Sequence, residues 1–230
     1  MRRIVISAFV SVDGVMQAPG APQEDTTGGF AHGGWLAGLQ DEEIGQAVGE
    51  MFTKPFDLLL GRWTYDIFAA YWPYIEKNPS ADGYHEGTAR IAELFDRVTK
   101  FVVTHRSGTL TWANSRALGE DVVGALRSLK REEGPDLLVQ GSTEVIQILL
   151  ENDLLDEMTL IIAPIVLGKG KRFFGAGAVP AGLELVKSGT TRKGTIIARY
   201  RRAGDVETGS FAHQPPSAAE LERRKKMAKA

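Results

Sequence analysis

Four short stretches combine residue types suited to holding an anion or handling a proton. Gly61-Arg62-Trp63-Thr64 places a guanidinium and a hydroxyl where a short apolar run gives way to a helical pattern. The first N–H groups of a helix attract negative charge, and a guanidinium beside them suits a phosphate. Gly141-Ser142-Thr143-Glu144-Val145 repeats this arrangement, with a glycine that lets backbone approach a ligand closely. Thr104-His105-Arg106-Ser107 is a polar, basic exit from a third apolar run, and Asp13-Gly14 leaves a fourth. Strand ends of open α/β sheets are where ligands gather, which makes Asp13 a candidate acid in a pocket. Each stretch also has a plainer use: a bare βα turn, an arginine exposed on a loop, an Asp-Gly turn with a solvated carboxylate.

The elements that must position these residues follow from periodicity. Apolar runs at 3–10, 57–60, 100–103, 137–140 and 158–167 read as strands, the last ending in Gly168-Lys169-Gly170. Val145, Ile148, Leu149 and Asn152 recur at helical spacing between the last two runs, a βαβ unit whose apolar strands mark a sheet covered on both faces. Asp41 can cap a helix carrying Ile44, Ala47, Val48, Met51 and Phe52, and Pro55 stops it. Ile91, Leu94, Phe95 and Val98 form another helical face, as do Val122, Val123, Leu126 and Leu129. Residues 112–115 read as a short connection. Residues 17–34, rich in Gly, Pro, Ala and Thr and closed by Trp35, read as a long mobile loop that serves as a lid. Residues 183–188 and 195–201 read as antiparallel strands at the sheet edge. From residue 203 the chain turns polar, with a Ser217-x-x-Glu220 capping box before a basic run; a linker and short helix outside the core are expected over 203–230.

At 230 residues, with 43% hydrophobic and 24% charged content, the chain suits one globular α/β domain with a tail. It has no cysteine, which excludes disulfides, thiolate metal sites and cysteine nucleophiles. Its four histidines are scattered, so no metal site is expected. A net charge of −2 gives no reason to expect nucleic acid as a partner. Nothing approaches the ~20 apolar residues of a membrane span, and the basic start is followed by no cleavage pattern, so a cytoplasmic location is expected.

In order and spacing, these motifs resemble the dihydrofolate reductase-like superfamily, closest to its riboflavin-biosynthesis reductase branch. The residues that carry the resemblance are Ser11-x-Asp13-Gly14, Leu60-Gly61-Arg62-x-Thr64-Tyr65, Val103-Thr104-His105-Arg106, Val139-Gln140-Gly141-Ser142 and Pro164-x-Val166-Leu167-Gly168-x-Gly170. It spans residues 2–202 and implies a three-layer αβα fold, with a mostly parallel sheet and an antiparallel last strand. It also implies NADPH as hydride donor, the reaction being of the 5-amino-6-(5-phosphoribosylamino)uracil reductase type on a small pyrimidine- or pterin-like carbonyl or imine. By position, Gly61, Arg62 and Thr64 would hold phosphates, and Thr104, His105 and Arg106 the adenosine 2′-phosphate. Gly141, Ser142, Thr143, Glu144 and Val145 would line pyrophosphate and nicotinamide. Asp13 would orient substrate or relay a proton, with Gly14, Trp35 and Gln140 also at the substrate end. Folate reductases have consecutive glycines in the central turn, where this chain has Ser142 and Thr143 after Gly141. They carry their acid on the first helix after the lid, where the matching stretch offers Glu50 at best. A true dihydrofolate reductase and a non-catalytic nucleotide-binding or interaction protein are the alternatives. A small molecule is the expected partner, and a homodimer the expected assembly.

Overall fold

The computed structural model of the chain describes residues 1–175 and 178–229, and of Ser107 only the backbone. Eight strands form one sheet: β1 (Ile4–Ser11), β2 (Phe56–Gly61), β3 (Lys100–Val103), β4 (Ser115–Ala117), β5 (Asp136–Val139), β6 (Glu157–Ala163), β7 (Leu183–Thr190) and β8 (Ile196–Arg202). Their order is β4-β3-β2-β5-β1-β6-β8-β7. The strands from β4 to β6 in that order run parallel, β8 is antiparallel to β6, and β7 is antiparallel to β8.

Six α-helices are described: α1 (Glu42–Met51), α2 (Arg62–Ala69), α3 (Glu86–Arg97), α4 (Val122–Arg131), α5 (Thr143–Glu151) and α6 (Ala218–Met227). Alternate side chains of a strand point to opposite faces, and β1 shows why both faces need cover. Ile4, Ile6, Ala8 and Val10 pack with Leu126, Leu129, Val145 and Leu149 of α4 and α5. On the other face Val5 packs with Leu58, Leu60, Tyr65 and Phe95, under α2 and α3. The expected three-layer αβα, dihydrofolate reductase-like sheet is therefore present. The parallel strands deliver the ends of β1, β2, β3, β5 and β6 to one edge.

Three details differ from expectation. Residues 115–117, at the end of the expected short connection, form the edge strand β4, which is too short and polar to show a period. The run at 158–167 stays extended only to Ala163. Pro164 follows with no N–H to give the ladder, and the N–H groups of Leu167 and Gly168 turn to the Asp13 carboxylate instead. The loop at 17–34 is less bare than its composition implies. Val15, Ala18 and Phe30 are buried together, with Trp35 and Leu167 against them. The Gln17 amide ties the loop internally, donating to the carbonyls of Asp25 and Thr27.

Beyond Arg202 every residue from 203 to 217 is exposed, and α6 is capped by Ser217 as its capping box predicts. Ala230 lies outside the described residues. Among the described residues no helix is long and apolar enough to cross a membrane.

Candidate functional site

The ends of β2 and β5, neighbours in the sheet, interlock. A Cβ on Gly61 would lie 1.9 Å from Ser142 Oγ, so only glycine lets the two turns approach this closely. Gly141, at φ +135°, sits in a region L side chains rarely adopt, and a Cβ there would meet Thr64 Oγ1 at 2.9 Å. The Gly141–Ser142 peptide is cis. The two close approaches, Gly61 to Ser142 and Gly141 to Thr64, place the starts of α2 and α5 side by side.

These two helices also differ from the rest at their starts. Asp41, His85, Asp121 and Ser217 each accept a first-turn N–H of α1, α3, α4 and α6 through the side chain. Neither α2, preceded by Gly61, nor α5, preceded by Ser142, has a side-chain cap. Their first N–H groups are thus left as donors at the shared edge, together with the positive ends of two helix dipoles.

Arginines flank this edge on the β3 side. Arg62 Nε donates to both oxygens of Asp66 at 2.9 Å, one helical turn on. Its Nη1 reaches the carbonyl of Arg106 at 3.4 Å and the hydroxyl of Thr109, so Arg62 bridges the turns after β2 and β3. Thr104 is buried and its hydroxyl accepts the N–H of Arg106 at 3.1 Å. The side chains of His105 and Arg106 are exposed, and the Arg106 guanidinium has no hydrogen-bond or carboxylate partner among the described residues. The structure thus gathers Gly61, Arg62, Thr64, Thr104, His105, Arg106, Gly141, Ser142 and Thr143 on one edge. Glu144 lies in the first turn of α5 with its side chain exposed. Val145 is 1% exposed within the core, so only its backbone is placed to meet a ligand.

Asp13 is already occupied. Its carboxylate accepts the Ser11 hydroxyl at 2.6 Å and the N–H groups of Leu167 at 3.0 Å and Gly168 at 2.9 Å, with Arg172 Nη2 at 3.5 Å. The Ser11 hydroxyl first, then the Leu167 N–H, hold the carboxyl down at about 2 against the opposing effect of burial. It is an anion at neutral pH, fitted to staple the exit of β1 to the loop after β6 and unsuited to donating a proton. Gly14, at φ +82°, turns the chain so that its carbonyl accepts from Phe173 N at 2.8 Å. Trp35 donates its indole N–H to the Gln17 carbonyl at 2.8 Å and packs in the loop's own cluster. Gln140 faces α1, its amide 3.7 Å from Met51 Sδ.

Sequence reasoning missed several residues. Lys171 pairs with Asp25 at 2.6 Å, and its ammonium lies 5.4 Å from the ring centroid of Trp63, which joins the loop at 17–34 to the start of α2. A cavity of about 420 Å³ opens between α1 and the sheet, with Ser7, Glu43 and Thr159 on its wall. Glu50 also borders it, but is held by Lys187 at 2.9 Å and Arg199 at 3.8 Å. The alternation of β1 alone would have turned Ser7 to this face; the cavity itself needs the β7–β8 hairpin, distant in sequence. Among the described residues no cluster of His, Asp or Glu is placed to hold a metal ion.

The profile of the family described as RibD C-terminal domain matches residues 2–197. The chain belongs to the RibD C-terminal domain family. A sequence relative is uncharacterized protein YyaP of Bacillus subtilis (strain 168), 23% identical over 203 residues, which are 88% of this chain and 96% of that protein. Solved structures share the fold. A protein assigned to riboflavin biosynthesis from Shewanella sp. PV-4 superposes with a TM-score of 0.60 at 20% identity, over 87% of this chain and 99% of its own. The diaminohydroxyphosphoribosylaminopyrimidine deaminase/5-amino-6-(5-phosphoribosylamino)uracil reductase of Thermotoga maritima gives 0.55 at 16% identity, over 88% of this chain and 57% of its own. Enterococcus faecalis dihydrofolate reductase, complexed with NADP(H), gives 0.52 at 13%, over 87% and 96%. In this RibD C-terminal domain the shared edge of α2 and α5 therefore occupies the strand-end region of the fold.

Proposed function

We propose that this RibD C-terminal domain is an NADPH-dependent reductase that transfers a hydride to a small planar carbonyl or imine of the pyrimidine or pterin kind. The observation that carries the reading is the pairing of two uncapped helix starts, α2 and α5, where the other four α-helices among the described residues are capped by side chains. Four orphan N–H groups per helix are costly to leave unmet, and a pyrophosphate would meet those of both helices together. NADPH supplies the hydride; the chain binds, orients and shields.

Each residue then has a task. Gly61 and Gly141 let the backbone close on the phosphates, with Thr64, Ser142 and Thr143 supplying hydroxyls. Arg106 and His105, exposed and without side-chain partners among the described residues, receive the 2′-phosphate. Arg62, already held by Asp66, sets the distance between the turns after β2 and β3. Asp13 and Gly14 hold the loop after β6 beside the reacting carbons, with Trp35 packing the lid and Gln140 lining the acceptor side towards α1. Positioning of donor and acceptor carbons is the main demand of such a reaction.

The test is a titration of NADPH and NADH into wild type, Arg106→Ala and Arg62→Ala. A charge-assisted hydrogen bond contributes about 1.5–3 kcal/mol, so NADPH is expected to bind at least about ten-fold more tightly than NADH. Arg106→Ala abolishes most of that preference, whereas Arg62→Ala weakens both cofactors by similar factors. Equal affinity of the wild type for the two cofactors would sink the proposal.

A further inference from the structure

Helix α1 is held at its two ends by different means. At its finish Phe52 packs into the core, its ring centroid 5.4 Å from that of Phe56 and 5.6 Å from that of Phe95. Both of those rings are buried, so this end cannot leave without opening the core. Lys187, 2.9 Å from Glu50, and Arg199, 3.8 Å from it, reinforce the same end. The start of the helix is reached instead from the turn between β7 and β8. Lys193 Nζ donates to the carbonyls of Gly38 at 3.1 Å and Gln40 at 2.8 Å, just ahead of the capping residue Asp41. Arg192 lies 3.2 Å from Glu43 in the first turn. Lys193, Gly38 and Gln40 are exposed, as is Arg192, so water competes for each of these contacts.

Between its ends α1 spans open space. The cavity of about 420 Å³ separates it from the sheet, and Glu43, Gln46, Ala47, Glu50 and Met51 look onto it. Ile44 is the one fully buried residue of the helix. Gly45 and Gly49 weaken the helix further, and a Cβ at either would meet nothing within 4 Å, so packing does not require them. The turn that carries Lys193 is, by contrast, tied to itself. Thr191 and Thr195 are buried, and the N–H of Thr191 donates to the carbonyl of Thr195 at 2.9 Å. The N–H of Gly194 returns to the carbonyl of Thr191 at 3.0 Å, and that of Thr195 to the Thr191 hydroxyl at 3.3 Å. Little buried apolar surface and exposed hydrogen bonds mark α1, not the turn, as the element that opens locally.

We infer that α1 is the movable wall of this cavity, hinged at Phe52 and latched at its start by Lys193. When the latch parts, the start of α1 lifts, Ile44 leaves its site and the cavity widens to solvent. Lys193 does not line the cavity and acts through α1, as a positioning residue. No residue of the latch or the hinge belongs to the α2–α5 edge, so failure of NADPH to bind that edge would leave the movable wall untouched.

Native-state hydrogen exchange without cofactor tests it, in wild type, Lys193→Met and Lys193→Arg. Methionine keeps the length of the side chain and loses the charge, whereas arginine keeps a cation. In Lys193→Met the amides of residues 42–48 are expected to exchange at least about ten-fold faster, while those of α5 stay within about two-fold of wild type. Lys193→Arg is expected to stay close to wild type in both. The chain has no cysteine, so Ile44→Cys places a lone thiol beneath α1, and its labelling should speed up by a similar factor when Lys193→Met is added. Unchanged exchange of residues 42–48 in Lys193→Met would overturn the inference. So would equal acceleration in α5, which marks general destabilisation, or exchange as fast in Lys193→Arg as in Lys193→Met, which would show that the cation is not the latch.

Discussion

Asp13 shows how one residue type can serve two ends. A carboxylate at a strand end reads as a catalytic acid, yet four donors from three segments converge on it here. With its pKa lowered from 3.8 to about 2, the folded state binds the proton less well than the unfolded chain does. Stability from this group is therefore fully present above about pH 4 and lost as pH falls through about 2. Urea unfolding of wild type and Asp13→Asn should show a gap at pH 7 that closes between about pH 4 and pH 2. A gap of constant size across that range would mean the charge is not what holds the loop. The sequence displayed Asp13 and Gly14 as a pair worth attention, but Leu167 and Gly168, more than 150 positions away, decide the role. The partner of Arg62 is legible in the sequence: Asp66, four residues on in a helix, is in reach for pairing.

At the scale of elements, the start of α2 and the start of α5 act as one unit, and the contact between Gly61 and Ser142 sets their spacing. Gly61 lies at φ −73°, which alanine adopts freely, so Gly61→Ala tests the close approach alone. Overpacking of this kind costs about 1–3 kcal/mol, and the separated turns should bind NADPH at least about ten-fold more weakly. Gly61→Ala with Ser142→Gly removes the clashing hydroxyl and should recover part of both losses. If the double variant is as weak as the sum of the single ones, the turns do not interlock as described. Most strands and helices were legible because apolar periodicity survives in a sheet covered on both faces. β4 was not, since three residues cannot display a period, and the end of β6 was misplaced because Val166 and Leu167 continue an apolar run that Pro164 had already stopped. The small cluster inside the loop at 17–34 is not legible, because composition does not show that Phe30 and Trp35 share it with Leu167.

For the whole molecule, the β7–β8 hairpin is the part the sequence described least. Its antiparallel pairing could be expected; its role as a wall of the cavity under α1 could not, because that depends on how the sheet continues past β6. All eight residues of β7 are exposed, and Leu183, Leu185 and Val186 are each about half exposed on an edge strand. Such an edge is open to pairing, and a homodimer through β7 is a prediction to be tested. Sedimentation should find a dimer for wild type and a monomer for Leu185→Lys; a monomeric wild type at micromolar concentration would remove the assembly. The central claim concerns the opposite part of the sheet, where α2 and α5 begin. The most direct measurement is a crystal structure of the chain soaked with NADP+. The account predicts pyrophosphate oxygens within hydrogen-bond distance of first-turn N–H groups of both α2 and α5, and the 2′-phosphate beside Arg106. Cofactor density away from that edge, or no density at saturating concentration, would contradict it.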